Sequence, residues 1–255
     1  MARAHDSHPL INAMQSDPSA EDTSQSGDVP VIEVLKRADV SGPRLGVFAA
    51  SFNPPTIAHV ELMRCATNTF SLDEVVALAG RANADKLEYE CSLEDRLEML
   101  RLTFAGEPRV SIGVSSHAFY VDMIEAIGRA FPGQTDLHFI VGFDTFERVI
   151  DREDRYTSRY HRSFSDRIEA IQCLFGRSKF IVAARAGAGR QAVEQLLKFE
   201  PAVPRDQILF LEFPEELGEV SATEVRRRRR TGEGITGLVP AQVEQYIRER
   251  DLYAR

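Results

Sequence analysis

These 255 residues contain no tryptophan, only three cysteines and no long apolar run. Each absence narrows what the chain can be. No stretch approaches the roughly 18–20 consecutive apolar residues of a membrane span, so no transmembrane helix is expected. Cys65, Cys91 and Cys173 are odd in number and widely spaced. That fits neither a disulfide framework nor a zinc pattern and points to a reducing compartment. No histidine pair has metal-ligand spacing and no G-x-S-x-G elbow occurs, which argues against a histidine-held metal and a serine hydrolase. Positive charge is also short. Against 39 Asp and Glu stand 31 Lys and Arg, a formal net charge of -8, the wrong sign for a general nucleic-acid binder.

Residues 1–30 are rich in Ser, Asp, Pro and Gln without a sustained apolar period, and read as a disordered tail. They carry no apolar signal core, and Asp6, Asp17, Glu21 and Asp22 count against a mitochondrial presequence, so the expected location is cytoplasmic. Residues 31–255 are expected to form one domain. VIEVLKRADV (31–40) reads as a short helix, and RLGVFAA (44–50) as a buried strand. Five further strands follow: DEVVALAG, RVSIGVS, DLHFIVG, KFIVAAR and QILFLEF. Helical stripes such as Leu93, Leu97, Leu100 and Phe104 separate them. This alternation predicts an α/β fold with an open, doubly wound parallel sheet. The polar stretch 151–167 reads as an insertion after the fourth strand.

In a doubly wound sheet of order 3-2-1-4-5, ligands bind where the carboxyl ends of the first and fourth strands diverge. Here the first runs into SFNPPTIAH (51–59) and the fourth into GFDT (142–145). Pro54 and Pro55 stop the strand, Thr56 is a natural N-cap, and His59 then falls near the third helical position. Unpaired N–H groups and the positive end of the helix dipole make an anion site there. An imidazole in that turn can donate to a phosphate oxygen, although a histidine on a capped helix can also simply pack. Gly142 lets a ligand approach the backbone. Asp144 can accept from sugar hydroxyls or cap the helix TFERVI. In VSATEVRRRRR (220–230), Ser221 and Glu224 form a capping box, and Thr223 and Arg226 share one face as a second phosphate clamp. Arg227 to Arg230 fan around that helix as a solvated basic face. AGAGR (186–190) lacks a third glycine and reads as a plain turn.

Together ASFNPPTIAH, ANADKL, DRLEML, IVGFDT, FIVAARAG, VSATEVR and LVPAQVEQYIRERDLY resemble the nucleotidyltransferase superfamily carrying an H-x-G-H or T-x-x-H motif. Within it the chain is similar to the nicotinamide/nicotinate mononucleotide adenylyltransferases over residues 44–252, with wording nearest a fungal NMN-specific branch. The resemblance implies a Rossmann-like nucleotidyltransferase fold and direct adenylyl transfer, in which ATP and NMN give NAD and pyrophosphate. Mg2+ would ride on the ATP phosphates, with no metal ligands from the protein. By motif match, Ala50, Ser51, Phe52, Thr56 and His59 hold the ATP phosphates, and Gly142 and Asp144 hold the ribose. Ser221, Thr223 and Arg226 clamp the departing pyrophosphate, with His59 and Arg226 as catalytic groups. Lys86 serves a substrate phosphate. Tyr156, or Phe119 and Tyr120, replaces the tryptophan that relatives stack on the pyridine ring. Ala49, Ala50 and Ala58 depart from the family's glycines, and AFYVD (118–122) departs from the stretch that reads nicotinate.

The implied partners are ATP and a mononucleotide, with no nucleic acid and no membrane; a homo-oligomer stays open. Two alternatives stand beside this reading. One is transfer to another phosphorylated acceptor, such as phosphopantetheine or glycerol phosphate. The other is a catalytically silent nucleotide- or RNA-binding module using Arg226 to Arg230.

Overall fold

The apolar runs become strands and the striped segments become helices in the computed structural model, which describes residues 29–81, 89–183 and 189–254. The strands are β1 (Ile32–Lys36), β2 (Arg44–Ala50), β3 (Glu74–Gly80), β4 (Val110–Ser115), β5 (Asp136–Gly142), β6 (Lys179–Ala183) and β7 (Ile208–Leu211). The helices are α1 (Ile57–Phe70), α2 (Leu93–Thr103), α3 (Tyr120–Ala130), α4 (Phe143–Ile150), α5 (Arg167–Phe175), α6 (Gly189–Leu197), α7 (Ala222–Thr231) and α8 (Ala241–Glu249). One sheet has the order β1-β4-β3-β2-β5-β6-β7. Every neighbouring pair is parallel except β1 with β4. The expected open, doubly wound sheet is therefore present, with the switch point between β2 and β5.

Period-two alternation sorts the core into two layers. Val47, Val76, Phe139 and Phe180 face α3, α4, α5 and α6, whereas Phe48, Ala77, Ile140 and Ile181 face α1 and α2. A third cluster joins Met99 of α2 to Val225, Ile235, Val239, Val243, Ile247 and Tyr253. The C-terminal segment is thus packed as part of the fold.

The segment read as a short helix at 31–40 is instead strand β1, paired antiparallel with β4 in the register Ile32 to Ser115 and Val34 to Gly113. Ile32 and Val34 lie two apart and both pack on the core. A free sheet edge offered ladder bonds that an isolated short helix could not match. Pro30 lies inside the span read as tail, yet it is buried, and its carbonyl accepts from Arg129. The rest of that tail, the ANADK stretch and most of AGAGR fall outside the described residues.

Asp95 ties α2 to the C-terminal segment. Its carboxylate accepts from Ser92 Oγ at 2.6 Å, Tyr246 OH at 2.8 Å and Arg250 Nη2 at 3.2 Å. Burial raises its pKa, but hydrogen bonds from Ser92, Tyr246 and Arg250 outweigh that and leave it below the ordinary value. A depressed pKa contributes stability above the ordinary carboxyl range, and that stability is lost as pH falls through the folded value. Asp95→Asn should therefore cost about 1–3 kcal/mol near pH 7. In urea denaturation the gap from the parent protein should close as pH falls below the ordinary carboxyl range.

Candidate active site

The chain leaves β2 through Phe52, which is fully buried at φ 46. A side chain in this left-handed region costs of order 1 kcal/mol, here within well-packed surroundings. The Asn53–Pro54 peptide bond is cis. Thr56 then caps α1 as expected, with its Oγ1 accepting from the His59 N–H at 3.4 Å. His59 returns the favour: its Nδ1 accepts from the Thr56 N–H at 2.9 Å. This is a capping box with imidazole in the place normally taken by glutamate. Because Nδ1 accepts a backbone N–H, the ring proton resides on Nε2. The rings of Phe48 and Phe52 lie 5.6 and 5.4 Å from that of His59 and fix its plane. Capping and packing, read from sequence as rivals to a functional histidine, are what hold it in position.

Three groups from the C-terminal third brace the turn. Arg226 Nη1 donates to the Asn53 carbonyl at 2.7 Å, and Tyr253 OH donates to Asn53 Oδ1 at 2.7 Å. The Ile57 N–H donates to the Leu238 carbonyl at 3.0 Å. In front of the turn opens a cavity of about 590 Å³. One part of its wall consists of Ala50, Ser51, His59 and Gly142 at the β2/β5 switch point. Another consists of Phe119, Tyr156 and Tyr160, whose rings meet at 5.6 Å (Phe119 to Tyr156) and 5.1 Å (Phe119 to Tyr160). Asp144 is the one acid on the described wall, against Arg148 and Arg167.

The fold thus brings Ala50, Ser51, His59, Gly142, Asp144, Tyr120 and Tyr156 onto one cavity. Gly142, not Asp144, is the N-cap of α4, which leaves Asp144 in the first turn on the wall. Other expected residues sit behind or beside it. The side chains of Phe52 and Thr56 are buried and act through the turn they shape. Ser221 caps α7 through the Glu224 N–H, but the Glu224 carboxylate turns to Arg227 and Arg228 instead of closing the box. Those two contacts hold its pKa down at about 2. Arg226 does not line the cavity; its guanidinium donates to Asn53, Glu90 and Thr223 and keeps two further N–H groups. Thr223 is exposed beside it.

Tyr120 divides its ring between wall and core, edge-on to Phe139 at 4.9 Å, and burial raises its hydroxyl pKa. Lys86 lies outside the described residues. The basic face of α7 is solvated as expected, but each of Arg227 to Arg230 pairs with a carboxylate.

Tyr160, Arg148 and Arg167 escaped the sequence reading. Tyr160 and Arg167 fall in the polar insertion, where no periodicity marks an inward residue. Arg148 sat in a helix read only for its cap.

The class is that of the nucleotidyltransferases: residues 47–228 match the family model described as Cytidylyltransferase-like. Two curated relatives narrow this. One from Salinibacter ruber (strain DSM 13855 / M31), named "Probable nicotinate-nucleotide adenylyltransferase", is 31% identical over 215 residues, 82% of this chain and 97% of its own. One of the same name from Dehalococcoides mccartyi (strain CBDB1) is 28% identical over 218 residues, 83% of this chain and 98% of its own. The chain belongs to the nicotinamide/nicotinate mononucleotide adenylyltransferase family. It shares its fold with Plasmodium falciparum nicotinic acid mononucleotide adenylyltransferase, solved with APC and with NaAD. The TM-scores are 0.59 and 0.60, at 16% identity, covering 82% of this chain and 96% of each of those.

Gly142 offers a direct check on the cavity. A Cβ built there meets no atom of the described residues within 4 Å beyond its chain neighbours, and the residue's φ of -78 suits any side chain. Gly142→Val should therefore fold with a stability change under about 1 kcal/mol. Its side chain would stand where a ligand approaches the backbone, so ATP binding measured by calorimetry should weaken about tenfold or more.

Proposed function

We propose that this enzyme transfers the adenylyl group of ATP to the 5′-phosphate of nicotinamide mononucleotide, giving NAD and pyrophosphate. One observation carries the reading: a single cavity joins an imidazole at a helix N-terminus to a cluster of three aromatic rings. The first suits phosphate, and the second suits a cationic pyridinium ring. An oxygen of the acceptor phosphate attacks the α-phosphorus in line. The bond from that phosphorus to the bridging oxygen breaks, and its electrons leave with pyrophosphate.

Such a transfer asks for positioning and positive potential, not a protein nucleophile. The His59 Nε2–H and the first turn of α1 supply both. In this reading Ala50 and Ser51 border the phosphates, Gly142 lets the nucleoside approach the backbone, and Asp144 accepts from the ribose hydroxyls. Ser221, Thr223 and Arg226 serve the pyrophosphate side, where Arg226 also braces the Asn53 turn. Lys86 is assigned to a substrate phosphate by motif match. Mg2+ arrives as part of MgATP. Among the described residues no three His, Cys, Asp or Glu side chains converge as metal ligands.

Among the described residues no helix is long and apolar enough to cross a membrane. The free thiols Cys65, Cys91 and Cys173 support a cytoplasmic setting. A second reading, nicotinate mononucleotide as acceptor, is favoured by the relatives' names and by Arg148 and Arg167 on the wall, which suit a carboxylate.

A pyrophosphate-release assay with ATP plus NMN, nicotinate mononucleotide or phosphopantetheine decides among acceptors. Release with NMN is the expected result; faster release with nicotinate mononucleotide establishes the second reading. Silence with both pyridine nucleotides overturns the function. His59→Ala should fold normally and lose about 10²–10³ in kcat.

A further inference from the structure

Arg96 is the largest fully buried side chain of the described residues, 1% exposed. It sits on α2 directly behind the cavity wall. Its Nη1 donates to the Ser51 carbonyl at 2.8 Å and the Gly80 carbonyl at 3.1 Å. The Tyr89 ring covers the guanidinium face at 3.9 Å. Ser51, Gly80 and Tyr89 all line the cavity. Buried charges are normally paired with an opposite charge, because desolvation is otherwise too costly. This one is not. Its Nε is buried without a hydrogen-bond partner among the described residues. Neighbouring acids on α2 and before it are committed elsewhere: Asp95 to Arg250, Glu98 to Arg101, and Glu90 to Arg226 and Arg230. Burial accordingly pushes its pKa down, opposed chiefly by Tyr89, Cys91 and Tyr253 rather than by a carboxylate.

We infer that Arg96 is a positioning residue for the ATP polyphosphate. Its buried charge holds the carboxyl ends of β2 and β3 and projects positive potential through the Ser51 wall, to be balanced when phosphates arrive. This rests on the proposed reading of the cavity as a nucleotide site. Low dielectric surroundings make such a charge act over several ångströms with little screening. The helical period of α2 already marks the residue, since Arg96 lies three after Leu93 and four before Leu100, on the apolar stripe.

The test compares Arg96→Met and Arg96→Lys with the parent protein, measuring binding of ATP and of adenosine by calorimetry and the melting temperature without ligand. Arg96→Met removes an unneutralised buried charge but also the donors to the Ser51 and Gly80 carbonyls, opposing effects that should leave the melting temperature within several degrees of the parent's. Its ATP affinity should fall about tenfold or more while adenosine affinity stays within about twofold. Arg96→Lys should recover part of the ATP affinity. Equal losses for ATP and adenosine in Arg96→Met, or no loss of either, would overturn the inference. If Arg96→Met does not fold, Arg96→Lys decides alone. Preferential loss of ATP by less than about tenfold supports the role of charge, and loss of ATP and adenosine together refutes it. Failure of the nucleotide reading has a separate signature, a parent protein that binds ATP no better than adenosine.

Discussion

The reciprocal pair of hydrogen bonds between Thr56 and His59 is the constraint on which the site depends. It caps α1, fixes the imidazole tautomer and sets the direction in which the ring meets the cavity, all with the same atoms. Phe48 and Phe52 pin the ring from its sides. A histidine held by one contact would sample several rotamers and spend binding energy on ordering itself. Here that ordering belongs to the fold.

Charge is distributed against the overall balance. The chain carries a net charge of -8, yet the described cavity wall holds two arginines and one acid, with Arg96 behind it. The five successive arginines of α7 contribute less than their number suggests, since Glu90, Glu224, Glu233 and Asp251 take up their guanidinium groups. Those surface pairs are screened and worth little individually. Their effect is to keep a basic helix from presenting an open cationic face. The positive potential that bears on an anionic ligand comes instead from a few enclosed groups and a helix terminus.

What could be read from the sequence followed physical locality. Strands β2 to β7, the Thr56 cap, the Ser221 cap and the convergence of SFNPPTIAH with GFDT rest on periodicity and short-range stereochemistry. All of these are written in neighbouring residues. Strand β1 was misread because its identity depends on an edge of β4 some eighty residues away. That Thr223 and Arg226 share a face of α7 is written locally, whereas the bond from the Arg226 guanidinium to the Asn53 carbonyl depends on a residue 173 positions away. Tyr160 reaches the cavity from the polar loop before α5 and Arg167 from that helix's first position, where polar composition hides inward-facing groups. Arg96 was visible in principle, as a charge on an apolar stripe, but its meaning required knowing what lay behind that stripe.

The bond from Tyr253 to Asn53 spans 200 residues of sequence. During synthesis the motif-bearing turn is made 200 residues before the hydroxyl that secures its asparagine. Closing so long a loop carries an entropic cost that only a largely completed sheet can offset. Nascent chains would therefore carry the Thr56–His59 turn well before the contact that secures it, which arrives only when the segment following α8 has docked.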